Sequence, residues 1–512
     1  MVAPFTTNKL TLPRPSLPMS SPMSLKPLIA ICGTTGVGKS RLAVELALSF
    51  TSANDSSRVS GAKVINADAM QVYEGLNILT NKMPVDEQKG VDHLLMSFKN
   101  PGEQYMVGDW VRDASRLIEE THSKGHIPIV VGGTSYWIHH LLFPSSLPSS
   151  GKLSKPNSHP SPAMANTIRN LPRDLASLYE SLPSESPSAK TNPENAFALH
   201  RLLSHLDPRM AARWHWRDTR KVLRNLHIVK EHGRMASDVI SDAFGVRLTE
   251  KYRTLIFWLY AEPNVLNERL DERVDVMLEQ GLLEEVRWLR SSSQARATEI
   301  DMTLGIYQAI GFREMCIYLD SDESSISSLA DAVSQTKFNT RKYAQRQIKW
   351  IRNKLLPAVQ EANSQSSRSR GTHAYLLDAT KLGSDWDRNV LRNAIEITNA
   401  FLSGDMLPNP LSLSETARDM LSVTSKSSDP SEVLKTRRKI TCPICTVNVE
   451  RPVMLEDGGE WTAHCRTRLH RRLLRSAHGP AKSHYEGLMS NDNEFGNISF
   501  SGESENEVSF TT

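Results

Sequence analysis

Cysteine, net charge and long apolar runs are all scarce in this chain, and each scarcity removes a class of protein. Five cysteines among 512 residues cannot build a disulfide scaffold and fit a reducing compartment. No apolar run approaches the roughly 18 residues needed to cross a bilayer, so no contact with a membrane is expected. Lys and Arg number 61 against 57 Asp and Glu, a formal charge of +4, so total charge argues for no acidic partner. Acid is missing from the start of the chain, where the first carboxylate is Glu45. That is a weak mitochondrial-presequence trait. However, Arg14 is the only arginine there, among Pro4, Pro13, Pro15, Pro18 and Pro22, and such a segment makes a poor amphipathic helix. Residues 1–26 are therefore expected to be a disordered or weakly targeting start.

What is present begins at Gly33-Thr34-Thr35-Gly36-Val37-Gly38-Lys39-Ser40, a complete phosphate-binding loop. The apolar run Pro27 to Cys32 before it reads as a buried strand, and Leu42 to Ala47 after it as a helix. Only in that strand–turn–helix setting is the motif more than a chance match. Its backbone N–H groups concentrate positive potential on a polyphosphate, Lys39 adds a point charge, and the Ser40 hydroxyl is a candidate Mg²⁺ ligand. Two further apolar runs end in polar cargo. Lys63 to Asn66 leads to Asp68, followed by Ala69, Met70 and Gln71, and Ile127 to Val131 leads to Gly132-Gly133-Thr134. Open α/β sheets bind ligands at the carboxyl ends of their strands, so three such ends predict one crevice. A carboxylate at Asp68 is then either a general base or a magnesium ligand.

Charge is uneven along the rest. Arg213, Arg217, Arg220, Lys221 and Arg224 fall close together, with Trp214 and Trp216 interleaved. That pattern suits an RNA backbone with splayed bases, and equally a solvated basic face over buried tryptophans. Thr254 to Tyr260 reads as a strand returning to the sheet. Leu266, Leu270, Val274 and Met277 form a helical packing stripe, and Lys337 to Lys354 reads as one long basic helix. Cys442-x-x-Cys445 with His464 and His470 is a Cys₂His₂ zinc arrangement. Its eighteen-residue gap exceeds that of DNA-reading fingers. Lys435, Arg437, Arg438 and Lys439 precede this finger, and Arg466, Arg468, Arg471, Arg472 and Arg475 line its last helix, a surface suited to phosphates.

The four strings Gly33–Ser40, Asn66–Tyr73, Ile127–Thr134 and Thr340–Gln347, in that order and with the finger behind them, resemble the tRNA dimethylallyltransferases (tRNA isopentenyltransferases) of the eukaryotic type. The resemblance covers Leu28 to about Phe143, then Phe197 to about Pro357, and returns at the finger. It implies an α/β fold: a P-loop NTPase-like parallel sheet with an inserted helical lid, a helical later part and a small zinc finger. The corresponding segments are 27–143 for the core, 144–195 for a Ser/Pro-rich insertion, 196–250 for a helical tRNA-binding insert and 251–357 for the return strand and helices. A linker at 358–435 follows, with one ordered patch at Ala374 to Leu377, then the finger at 436–478 and an acidic disordered tail at 479–512.

The same resemblance implies transfer of a dimethylallyl group from dimethylallyl diphosphate to N6 of adenosine 37 in the tRNA anticodon stem-loop. Gly33 to Ser40, with Lys39, Arg341 and Arg346, would hold the diphosphate together with Mg²⁺ on Ser40. Asp68 would take the amine proton, with Ala69, Met70, Gln71, Thr134, Arg217, Arg220 and Arg224 on the tRNA. Zn²⁺ would sit on Cys442, Cys445, His464 and His470, in a finger tethered by the linker and adding affinity rather than chemistry. A cytoplasmic monomer is expected, with mitochondrion and nucleus as further compartments. The chain departs from the family at Trp137, where a Tyr is frequent, keeping an aromatic but losing a hydroxyl. Three rivals remain open on residues alone: a transferase acting on free adenine nucleotides, a P-loop nucleoside kinase using ATP, and a non-catalytic RNA-binding protein.

Overall fold

Leu28 to Cys32 are all fully buried, because a parallel strand covered on both faces has no wet side. Its side chains alternate between two cores: Leu28, Ala30 and Cys32 join one apolar cluster, Ile29 and Ile31 the other. In the computed structural model this is strand β1, Pro27–Gly33. With β2 (Ala62–Asn66), β3 (His93–Leu94), β4 (Ile127–Val131), β5 (Arg253–Tyr260) and β6 (His373–Asp378) it makes a six-stranded sheet in the order β3-β2-β4-β1-β5-β6. Every pairing is parallel. β5 repeats the alternation, with Ile256, Trp258 and Tyr260 in the first cluster and Leu255, Phe257 and Leu259 in the second. The expected α/β parallel core is therefore present.

The described residues are 25–52, 60–144, 160–244, 250–294, 302, 304–320, 326–365, 371–422 and 438–477. The tail 479–512, all but the end of the 1–26 segment, and Lys435 and Arg437 lie outside them. The chain divides into two compact units, Met1–Arg169 with His227–Val433, and Asn170–Leu226 with Leu434–Thr512.

Two expectations need correction. Much of the 358–435 segment is not a linker. The Ala374–Leu377 patch is the heart of β6, paired with β5 along its whole length. After it Trp386, Val390, Ala394, Ile397 and Phe401, spaced by four, four, three and four, are all buried in the second cluster. They belong to a helical stretch from Ser384 to Ser403 that includes a π-turn at Asp387–Arg392. Asp, Asn, Arg, Glu and Thr between these positions masked a helical apolar stripe. Likewise the 144–195 insertion carries two amphipathic helices, Pro162–Arg169 and Arg173–Glu180, and the first turn of a third at Pro193–Leu206.

The second unit joins what the sequence kept apart. Its finger is a hairpin of β7 (Lys439–Thr441) and β8 (Met454–Glu456) followed by helices Gly459–Cys465 and Arg468–Ala477. Trp216, buried in the insert, donates its indole Nε1–H to Pro452 O at 2.9 Å. The Lys439 N–H donates to Ala212 O at 2.7 Å. The finger is packed onto the insert, where Trp216 finds its polar partner, while residues 423–437, the end of the expected tether, lie outside the described residues.

Candidate functional site

The carboxyl ends of β1, β2 and β4 supply the crevice. β1 runs into the Gly33–Ser40 loop, and the helix Lys39–Ser52 starts at its end. A helix N-terminus beside a Gly-rich turn offers free N–H groups and positive potential to an anion. Lys39 Nζ donates to Thr34 O at 2.6 Å. Burial pushes its ammonium down to about 8; Asp68 and Cys32 oppose the shift and Arg273 adds to it.

Arg273 was not among the expected site residues. It stands on the helix Pro263–Glu279 and its Nη2 donates to Thr35 Oγ1 at 2.8 Å. Burial lowers its guanidinium to about 10, with Asp68 opposing. Its Nε and the buried Thr34 Oγ1 both lack a protein partner. Two cations destabilised by burial, with a donor left over, form a site that an anion would satisfy. The sequence carried little signal of this, since Arg269 and Arg273 beside an apolar stripe read like any solvated helix face.

Gln347, also unassigned beforehand, holds the crevice together. Its Oε1 accepts from Thr35 N and its Nε2 donates to Gly133 O, both at 3.0 Å. One buried carboxamide thus ties the phosphate loop to the Gly-Gly turn. The glycines permit this approach: a Cβ on Gly132 would lie 2.1 Å from Ala67 O, and one on Gly133 only 2.7 Å from Gln347 Nε2. Asp68 Oδ2 would be 3.1 Å from that same Cβ, while Oδ1 accepts from Met70 N at 3.0 Å. The Asp68 N–H donates to Asn66 Oδ1 at 3.0 Å, which fixes the turn that presents the carboxylate. The phenol of Tyr343 is raised by burial and by Asp68, and lowered by Arg346 and by a hydrogen bond with Gln347.

The remaining expected residues have specific places. Thr134 Oγ1 accepts from Ala69 N at 3.0 Å, joining the β4 end to the Asp68–Met70 turn. The Gln71 amide donates to Thr80 O and Asn81 O, both at 3.2 Å, so its N–H₂ end braces a loop. Arg341 is ion-paired with Asp271 on the Pro263–Glu279 helix, whereas Arg346 is exposed one turn further along Ile326–Trp350. Trp137 is buried and stacked on Trp110 at 5.1 Å between ring centroids, so that position is core.

In the second unit the ligand atoms of Cys442, Cys445, His464 and His470 all lie within 4.8 Å of one another. Each Sγ of the two cysteines is 3.5 Å from His470 Nδ1, which is 3.1 Å from His464 Nε2. Tetrahedral Zn²⁺ with bonds of about 2.0–2.3 Å needs edges of this length, so the donor set fits that ion. Arg217 lies over the Trp216 ring at 5.0 Å, Arg220 is half-buried and Arg224 exposed. Arg466, Arg468, Arg471, Arg472 and Arg475 are all exposed, whereas Lys439 is drawn to Glu456 and Glu460.

Comparison with known proteins agrees with this arrangement. The sequence profile described as "IPP transferase" matches residues 71–354. A tRNA dimethylallyltransferase of Schizosaccharomyces pombe is 34% identical over 459 residues, 88% of this chain and 95% of that protein. One from Saccharomyces cerevisiae is 32% identical over 453 residues, 88% of this chain and 92% of its own length. The crystal structure of a eukaryotic dimethylallyltransferase acting on tRNA superposes with a TM-score of 0.63 at 31% identity, covering 88% of this chain and 97% of that one. With a phosphate loop, an acidic turn and a Gly-Gly turn joined in one crevice, and matches running over most of its length, the chain belongs to the IPP transferase family.

Proposed function

We infer that this chain transfers a dimethylallyl group from dimethylallyl diphosphate to N6 of adenosine 37 in the anticodon stem-loop of tRNA. The observation that carries the reading is the convergence of Lys39, Arg273 and Asp68 on one crevice: Arg273 bonds Thr35 in the loop of Lys39, and Gln347 ties that loop to the Gly133 turn that abuts Asp68. In the reaction the amine nitrogen bonds to C1 of the dimethylallyl group as the C1–O bond breaks. The bonding pair leaves with the diphosphate and the N6 proton passes to Asp68. The diphosphate gains charge as it leaves, and the phosphate-loop N–H groups, Lys39 and Arg273 are preorganised donors for it. Arg346, whose charge reaches Tyr343 beside Asp68, extends that positive wall, and Arg341 would join it by exchanging Asp271 for the diphosphate. Asp68 serves as general base, since an aromatic amine is a weak nucleophile until its proton is accepted.

Ser40, at the head of the phosphate-loop helix, is the residue suited to Mg²⁺, an oxygen-seeking ion that binds through hydroxyl, carboxylate and phosphate oxygens. When bound it would neutralise part of the diphosphate charge. Thr134, Ala69, Met70 and the free oxygen end of Gln71 line the adenine side, and Arg217, Arg220 and Arg224 contact the tRNA backbone with the finger arginines. Zn²⁺ on the four finger ligands is structural, with no step of the reaction.

The test is to incubate the purified protein with unmodified tRNA, dimethylallyl diphosphate and Mg²⁺ and to analyse the tRNA nucleosides by mass spectrometry. Isopentenyladenosine at position 37 is expected, with no prenylation of free AMP and no transfer of the ATP γ-phosphate. Either of those activities in place of tRNA modification would refute the reading.

A further inference from the structure

A phosphate loop grips through backbone N–H groups, so something outside the loop must hold those groups in place. Five contacts do so among the described residues. Gly33 abuts Leu259 O, Gly36 abuts Leu270, and Thr35 is held by Gln347 and Arg273. The fifth is Trp386. Gly38 has a φ of +84°, and a Cβ there would lie 2.7 Å from the Trp386 ring. The indole is therefore packed directly on the backbone that precedes Lys39.

Trp386 is itself firmly held. It is 1% exposed, and its Nε1–H donates to Glu45 Oε2 at 2.9 Å, on the phosphate-loop helix. The other oxygen of Glu45 accepts from Arg41 Nε at 2.8 Å, and the Arg41 guanidinium lies 4.5 Å over the indole. The turn after β6 also reaches the helix of the other cation. Arg269, one turn before Arg273, donates from Nη1 to Ala379 O at 2.8 Å and from Nη2 to Thr380 O. One element, β6 with its turn and Trp386, thereby touches both the loop of Lys39 and the helix of Arg273. It lies beyond residues 71–354, the stretch matched by the family profile.

We propose that Trp386 is a positioning residue for the diphosphate site, fixing the Gly38–Lys39 backbone so that its N–H groups and the Lys39 ammonium meet the leaving group. Glycine is the loosest residue in the chain, and without a neighbour Gly38 would sample conformations that turn these donors away. The inference rests on the reading of this crevice as a diphosphate site.

The experiment measures binding of inorganic diphosphate with Mg²⁺ by calorimetry, and the KM values for both substrates, in full-length Trp386→Leu, Trp386→Phe and Lys39→Ala. Trp386→Leu removes the ring and the bond to Glu45. It is expected to weaken diphosphate and raise KM for dimethylallyl diphosphate by ~10-fold or more, as misplaced groups do. KM for tRNA should stay unchanged. Trp386→Phe keeps a ring in the same cluster and should fall between, at roughly two- to fivefold. A merely structural role predicts a lower melting temperature with both constants intact below it. Unchanged diphosphate affinity in either folded variant therefore overturns the proposal, and the Phe variant decides it should the Leu variant not fold. If Lys39→Ala also keeps full affinity, the reading of the crevice itself fails. If Lys39→Ala loses affinity and the Trp386 variants keep it, only the positioning role falls.

Discussion

The two units reach order by different routes. The unit with the phosphate loop buries six parallel strands between two apolar clusters, and the loops at their carboxyl ends are cross-braced by Gln347, Thr134 and Asn66. The finger and insert unit packs a smaller apolar core of short helices, with Leu199, Leu202, Leu203 and Met210 buried, joins the finger to it through Trp216 and one Cys₂His₂ cluster, and shows arginines to solvent. The difference assigns the labour. Chemistry needs donors and a base held to a fraction of an ångström, which a large core provides. Recognition of a polyanion tolerates looser placement, because phosphate contacts position without reading sequence.

If that division is right, the largest losses come from the first unit and fall on turnover. Asp68→Asn keeps the shape of the turn, since its side chain can still accept from Met70 N. It should lower kcat by on the order of 10²–10⁴, the usual worth of a general base. Single-turnover rates at saturating tRNA and dimethylallyl diphosphate check this; a variant within a few-fold of wild type would move the base elsewhere. Next in size, Arg273→Ala and Lys39→Ala should each lose roughly 2–4 kcal/mol of transition-state stabilisation by analogy with oxyanion donors. The loss should appear in kcat/KM for dimethylallyl diphosphate, with tRNA affinity unchanged by filter binding.

Removing the metal breaks the second unit and should spare the first. Chelation, or Cys442→Ser, leaves a finger with no core of its own. Because Trp216 is packed under Pro452, the loss should reach the insert and shift tryptophan emission to the red. Affinity for tRNA should fall on the order of 10- to 100-fold as several phosphate contacts are lost, while diphosphate binding by calorimetry stays intact. A collapse of diphosphate binding would mean that the units are not separable.

The sequence was most legible where chemistry needs fixed spacing. The phosphate loop, the strand ending before Asp68, the Gly-Gly-Thr turn and the four metal ligands could be read because each is contiguous or regularly spaced, and the sheet core followed from unbroken apolar runs. What escaped depends on partners far away in the chain. Arg273 becomes a site residue only because its helix packs beside a loop 238 residues earlier. Gln347 stood inside a recognised string, yet its role as a brace needs Gly133, 214 residues away. β6 and Trp386 were hidden by polar residues between the apolar ones, since composition averages over a periodicity that burial obeys. Trp216 was open to two readings, a base-stacking ring or a tryptophan buried under a basic face; it is buried, and its indole locks the finger.

Acidity offers a finer probe of the first unit. Because the Lys39 pKa is lowered to about 8 in the free enzyme, the ammonium is largely charged at pH 7 and largely neutral by pH 9. A bound diphosphate favours the charged form and raises that pKa. Affinity is therefore full below about 8 and is lost as pH rises through it, at about tenfold per unit for a single linked proton. Calorimetry near pH 8.5 in buffers of different ionisation enthalpy should detect proton uptake on binding, and Lys39→Ala should abolish it.

The smallest effect sharpens the other side of the comparison. Arg217 is exposed and lies over the Trp216 ring, so replacing it with Ala removes a charge from the surface and leaves the buried indole bonded to Pro452. A side chain that grips one phosphate releases about one counterion, so the variant should bind all its tRNAs a few-fold more weakly. Its slope of log affinity against log salt should be reduced by about 1. kcat at saturating tRNA should not change, as expected of a side chain that only grips a phosphate. The same measurement on Arg471→Ala gives a second point on the finger, and on the double variant the two losses should add if each arginine meets its own phosphate. An unchanged salt slope with a lower kcat would place Arg217 in the catalytic geometry, and the division between a unit that reacts and a unit that holds would have to be redrawn.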